Sequence, residues 1–424
     1  MRVRHAPRRI ITAATGLAAV LALAACSGGS SFSPTTGGAS TGASPSGGGG
    51  SLSVLIGSSG DAETKAVTDA VAAWSSSSGT PATVRAASNL NQELSQGFAS
   101  RQPPDVFYVG ADSFQGFAAN GSLLPYGDKL GSVSDFYPSL VQQFTYKGQF
   151  YCAPKDFSTL ALVINTDDWT AAGLTDADVP TTWDQLAAVA KKLTTGGRVG
   201  LAFNGEYARI GVFLAQAGGT MVGADGTSAT VDSDANVAAL TYVKSHLVDG
   251  TFAYASTVGA GWGGEAFGTG KAAMTIEGNW ITGAMTSDYP NVKYKVVPLP
   301  AGPAGKGTLQ FTNCWGIAAD SKNQSQAIDL VKYLTATQQQ TGFAKAFGVM
   351  PSVQSAAAAY KSQFPDLTAF IDAASYAQNT VTANGAAAVI TDFNSQLEGL
   401  ASGDPKTILA SVQKNLQAVL SQNQ

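Results

Sequence analysis

The stretch "SLSVLIGSSGDAETKAVTDAVAAWSSSSG", residues 51–79, changes its hydrophobic period halfway along. Leu52 to Ile56 is a short apolar run that reads as a buried strand, and a Gly/Ser turn follows it. Val67, Val71 and Trp74 then recur at helical spacing, which predicts a helix with those residues on its inner face. Further along, "PATVRAAS" predicts a strand, "NLNQELSQGFAS" a helix and "PDVFYVG" another buried strand. Strands alternating with helices predict an α/β layer structure around a largely parallel sheet.

The pattern continues outward. "QGFAANGSLLPYGDKL" reads as a helix ending at Gly121, and "FTYKGQFYCAPKDFSTLALVIN" holds a hairpin across Lys147-Gly148 and a strand from Thr159 to Ile164. In "PTTWDQLAAVAKKLTTGG", Thr182 and Gln185 form a capping-box signal ahead of the stripe Leu186, Val189 and Leu193. A second such helix carries Val237, Leu240, Val243 and Leu247 and is stopped by Gly250. Ala272 to Ile276 predicts a strand that runs into Glu277-Gly278-Asn279-Trp280, where the indole either packs or walls a ligand site. "CWGIAAD" reads as a strand and "SQAIDLVKYLTATQQQTGFAKAF" as helical; the last third is expected to be mainly helical without a further strand.

The N-terminus bears on the compartment. Arg2, Arg4, Arg8 and Arg9 precede an apolar run from Ile10 to Ala25, short for a membrane span. The run ends in Leu23-Ala24-Ala25-Cys26, and the pattern resembles a bacterial lipoprotein signal in which Cys26 is lipidated. Residues 26–51 are almost entirely Ser, Gly, Thr, Ala and Pro, a composition that predicts a flexible tether. Without the four leader arginines, 21 of the 25 basic residues face 29 acidic ones, a net charge of −8. No Lys/Arg run stands out, so nucleic acid is not an expected partner. Beyond Cys26 only Cys152 and Cys314 remain, and the mature chain has one histidine, His246, too few ligands for a zinc site. No cofactor or metal is expected. The body after the tether is long enough for two domains or lobes.

The order and spacing of five stretches carry a resemblance. They are "PPDVFYVGADSFQGFAANGSLLP", "YKGQFYCAPKDFSTLALVINTDDWTAAGL", "PTTWDQL", "GEAFGTGKAAMTIEGNW" and "WGIAADSKNQSQAIDLVKYLTATQQQ". Together they resemble the sugar-binding, maltose-binding protein-like group of the extracellular solute-binding proteins of ABC importers. The resemblance implies an α/β, two-lobed, type II periplasmic-binding-protein-like fold with hinge strands between the lobes and ligand in the cleft. It places lobe 1 at 52–155 and 318–376, lobe 2 at 158–313 and 378–424, and a third crossing near Tyr376 to Thr380. It also implies a Cys152–Cys314 disulfide, because the two hinge strands lie side by side in this fold. The implied partners are a carbohydrate, the permease and ATPase subunits, and the outer face of the membrane through Cys26, with the protein a monomer.

Sugar recognition needs flat aromatic rings for C–H faces and oriented acceptors and donors for hydroxyls. The resemblance puts Trp280 at a stacking position, and Asp112 in a loop whose carboxylate receives hydroxyls; Asp112 could equally cap a helix. Ser59 and Asp61 lie in the turn after the first strand, with Glu63 nearby expected to be exposed. Asp156 and Ser158 lie at the first crossing, with Lys155 offsetting Asp156. Glu206 and Tyr207 match a segment that contributes an aromatic ring, although Glu206 could pair with Arg209. Trp262 and Glu265 stand among glycines, either beside the ligand or at a capped helix start. Asn313 and Trp315 flank Cys314, and the tryptophan could face the cleft or the core. Where some relatives have another stacking tryptophan, this chain has "ANGAAAV" from Ala383, which leaves ligand length open. The alternatives are a lipid-anchored glycoside-active enzyme using carboxylates such as Asp112 and Glu265, and a receptor for another small polar solute. Outside the Ser/Gly tether, no G-x-S-x-G nucleophile motif favours the enzyme.

Overall fold

Three short strands, β1 (Leu52–Ile56), β2 (Ala82–Ala86) and β3 (Val106–Gly110), pair in parallel in the order β2-β1-β3. Helices Asp61–Ser78 and Leu90–Ala99 connect them, as the stretches 51–79 and "NLNQELSQGFAS" predict. Leu52, Val54 and Ile56 meet Val67, Val71 and Trp74 in one buried cluster. The computed structural model describes residues 50–423. The leader at 1–25 and all but the last two residues of the 26–51 tether, Cys26 included, lie outside the described residues.

The expected hairpin is present: β4 (Thr145–Tyr146) and β5 (Gln149–Phe150) flank Lys147 and Gly148, whose φ values of 47° and 77° make a two-residue turn of the primed type. The next strand, β6 (Ala153–Asn165), begins six residues before the expected Thr159. Its first half contains Pro154, Lys155 and Asp156, which carry no strand signal, yet it is buried throughout because neighbours flank it.

β6 belongs to two sheets. Five more strands follow: β7 (Val199–Phe203), β8 (Phe252–Tyr254), β9 (Ala272–Gly278), β10 (Tyr294–Val297) and β11 (Thr308–Ile317). β11 runs antiparallel to β3 on one side and to the first half of β6 on the other. The second half of β6 pairs antiparallel with β9 and β10, while β7 joins β9 and β8 in parallel. Asn313 lies opposite Asp156 but Cys314 lies opposite Pro154, so Lys155 is an extra residue in a β-bulge. Bulges bend a strand and re-aim its side chains.

The last third does contain another strand, contrary to expectation: β12 (Ala377–Asn379) lies parallel to Thr308–Gln310 of β11. Three polar or small residues, Ala377, Gln378 and Asn379, carry no strand signal; pairing with β11 makes them one. Helices Ala386–Glu398 and Pro405–Gln422 then pack on the same core as β7 and β9, through Phe393, Leu409 and Leu416. A separate cluster, with Phe157, Phe267, Ile281, Tyr360 and Phe370, joins segment 357–374 to helices following β8 and β9. Cys152 and Cys314 are joined by a disulfide with Cα atoms 5.5 Å apart, just before β6 and within β11.

Candidate functional site

The floor of the site is one face of β6 and β11. Directly opposed residues of an antiparallel pair share a face, and Phe311 opposes Ser158 while Asn313 opposes Asp156. Alternation along each strand therefore puts all four on the same side. Asn313 is exposed there.

On one flank, a recess of about 390 Å³ is lined by Gly57 and Ser58 after β1, by Ser88 to Asn91, and by Asp112 and Asn313. Asp112 and Asn91 also line an adjoining recess of about 550 Å³ that reaches Asn384. Asp112 is exposed in the first turn of helix Ala111–Ala119 and caps nothing; Gly110 occupies the cap position. Ser59 and Asp61 are exposed but outside the recess, and Ser59 is committed to Glu63 through its N–H and hydroxyl, both at 2.7 Å.

Glu63 corrects its expectation. It is 3% exposed, and its carboxylate accepts from Lys155 Nζ at 2.9 Å and from the Tyr108 hydroxyl at 3.0 Å, besides Ser59. Lys155 also bonds Asp156, so one ammonium serves two buried carboxylates, one of them on the floor itself. Burial by itself would raise the Glu63 carboxyl, but Lys155 and the Ser59 donors outweigh it and hold the group below its ordinary value. Asp156 has a single strong donor, so burial prevails and its carboxyl is raised. Burial would lower Lys155, yet Asp156 and Glu63 together raise it.

On the other flank stands Trp280, 39% exposed, with Phe311 edge-on at 5.7 Å between ring centroids. Its indole N–H donates to Glu277 at 2.9 Å, and Glu277 is paired with Arg209 at 2.8 Å. Burial pushes the Glu277 carboxyl up, with Arg209 and the indole only partly offsetting it. Arg209 also bonds Glu206 at 3.2 Å, the helical-turn pair the sequence allowed. Ser158 donates to Asn279, whose amide donates to Gly348 O at 2.8 Å.

Two aromatic candidates turn inward. Trp315 is 1% exposed, edge-on to Tyr108 at 4.7 Å in the core beneath helix Asp61–Ser78. Tyr207 is buried against Phe393, because its helix lies under the C-terminal helices. Neither ring is available to a ligand here. Trp262 is half-buried at the start of helix Gly263–Gly268, over Gly264, where a methyl would stand 2.1 Å from the indole. Glu265 accepts from the Gly261 N–H at 2.7 Å, one residue ahead of the helix cap, and lines neither recess.

Sequence reasoning missed Glu277, the buried role of Glu63, and the Ser88–Asn91 turn. One signal was present for Glu277: Met274 and Ile276 alternate with Thr275 and Glu277, so a carboxylate on the second face needed a partner.

The chain is similar to known proteins over most of its length. The family profile described as bacterial extracellular solute-binding protein matches residues 77–405. Diacetylchitobiose binding protein DasA of Streptomyces coelicolor is 26% identical over 275 residues, 62% of this chain and 64% of that protein's length. The GacH receptor of Streptomyces glaucescens, solved unliganded and with acarbose, superposes with TM-score 0.73 at 24% identity, over 88% of this chain and 99% of that one. Cyclic α-maltosyl-1,6-maltose binding protein of Arthrobacter globiformis gives TM-score 0.78 at 21% identity, over 88% and 100%. These structures share the two-lobed architecture seen here. The chain belongs to the bacterial extracellular solute-binding proteins.

Proposed function

We propose that this protein captures a mono- or oligosaccharide in the cleft between its lobes and delivers it, chemically unaltered, to the permease of an ABC importer. The observation that carries the proposal is the half-exposed indole of Trp280 beside a floor of Asp156, Ser158 and Asn313. A ring plane next to oriented oxygen and amide groups fits a pyranose, whose C–H face and hydroxyl edge need those two surfaces. Asp112 completes the set from the opposite flank. Names of relatives support the sugar class: one binds diacetylchitobiose and another lactose.

Lobe 1 is taken as 52–155 with 318–376, and lobe 2 as 158–313 with 378–424; the two cores on either side of the β6/β11 floor support the main bodies of this division, while segment 357–374 packs against helices of lobe 2. Ligand is held as the lobes close about β6, β11 and β12. A lipid on Cys26 would hold the protein at the outer face of the cell membrane, with residues 26–51 as its leash. It works as a monomer and has no catalytic role.

Thermal-shift and calorimetric titration of the mature chain with maltose, acarbose, lactose and N,N′-diacetylchitobiose tests this, because a ligand bound only by the folded state raises Tm. Recovery of the bound sugar intact after long incubation is expected. No shift with any saccharide, or cleavage of one, would refute the proposal.

A further inference from the structure

We infer that Glu277, Gly278 and Arg209 are positioning residues that set the indole of Trp280 before any ligand arrives, leaving one ring face free. The inference deepens the saccharide site proposed above and rests on it, since Trp280 is that site's stacking plate.

The ring is held from several directions. Glu277 accepts the indole N–H at 2.9 Å through Oε2, and the same oxygen accepts from Arg209 Nη2 at 2.8 Å. The guanidinium carbon of Arg209 lies 5.2 Å from the ring centroid, and Phe311 meets the ring edge-on. The benzo half of the indole lies against the backbone of Gly278. A methyl on that residue would stand 2.3 Å from Cζ3, 2.4 Å from Cη2 and 2.6 Å from Cε3. Gly278 is absent from the left-handed residues, so the position needs glycine for this close approach and not for its φ. Asn279, between Gly278 and Trp280, is itself pinned to Ser158 and Gly348.

Glu277 is 0% exposed, so its carboxylate does not reach a ligand. Apolar residues of similar size in place of the whole Glu277–Arg209 pair would hold β9 about as well, because burying an ion pair costs desolvation that the pairing only offsets. What the pair adds is direction. A carboxylate locked by arginine accepts the indole N–H along one line and confines the ring to one rotamer. A side chain ordered in advance loses little freedom on binding, which favours affinity.

Fluorotryptophan labelling of the mature chain tests this by fluorine NMR. The chain has six tryptophans, and W280F identifies the line from residue 280. In the ligand-free wild type that line is expected to be single and narrow. G278A and E277L are expected to broaden, split or shift it, with E277Q, which keeps an acceptor oxygen, in between. E277L leaves Arg209 only its longer contact with Glu206, so E277L/R209L supplies a second background, and unchanged lines from the other tryptophans report an intact fold. In titrations with maltose, lactose and N,N′-diacetylchitobiose, G278A and E277L are expected to bind about tenfold more weakly than wild type. A Trp280 line already broad in the wild type, or indifferent to G278A and E277L, overturns the inference. A responsive line in a protein that binds none of the three sugars upholds the positioning and overturns the saccharide site alone.

Discussion

Lys155 Nζ stands 2.9 Å from Glu63 Oε1, tying the bulged start of β6 to the first turn of helix Asp61–Ser78. The same ammonium bonds Asp156, and none of the three residues is more than 9% exposed. Removing the cation strands two carboxylates away from water. Lys155→Met is expected to cost about 3–5 kcal/mol, the usual penalty for breaking a buried pair. Urea unfolding measures it; an unmoved midpoint would mean that the pair holds nothing together.

Asp156→Asn is expected to be far milder, about 1 kcal/mol in either direction, because Glu63 still neutralises Lys155. The acid limb separates the two carboxylates. Glu63 is depressed, so its contribution is present above its ordinary value of 4.5 and lost as pH falls through the depressed one. Asp156 is raised, so its ionised form burdens the fold at neutral pH, and that burden lifts as pH falls through the raised value towards 3.8. The wild type should therefore gain on Asp156→Asn between about pH 7 and about pH 4. Parallel urea midpoints at the two values would contradict this.

The two tryptophans near the floor should behave oppositely. Trp280→Ala removes a half-exposed ring and is expected to change stability by about 1 kcal/mol or less, while weakening saccharide binding about 30-fold. Trp315→Phe acts in the core, with a loss of about 1–3 kcal/mol and affinity within about twofold of wild type. The reverse pattern by calorimetry would transfer the stacking role to Trp315.

The Cys152–Cys314 bridge closes a separation of 162 residues. Chain-entropy arithmetic gives a stabilisation on the order of 5 kcal/mol for a loop of that size. The double serine variant is expected to show a clearly lower Tm, and a non-reduced digest of the wild type should yield one disulfide-linked peptide pair. Two alkylatable thiols in the native protein would exclude the bridge.

Legibility followed the physics. Strands with apolar runs, such as Leu52–Ile56, and helices with stripes, such as Trp183–Leu193, were plain because their burial pattern matches their period. Ala153–Ser158 was not, since its strand character comes from neighbours distant in sequence. Asn313 and Trp315 share a face of β11 by parity, but helix Asp61–Ser78 covers that face at Trp315 and leaves it open at Asn313. One-dimensional spacing gives the face and not its cover. Glu63 and Glu277 were hidden for a related reason: each is paid for by a cation, Lys155 or Arg209, that only the fold brings near.

β11 fills the space between β3 and β6. During synthesis, the half of the molecule that emerges first from the ribosome therefore keeps a bare sheet margin until Asn313–Ile317 has been made. Such a margin is a template for wrong pairing. Neither half completes its sheet before that point, which leaves the margin open to copies of the nascent chain until most of it has been translated.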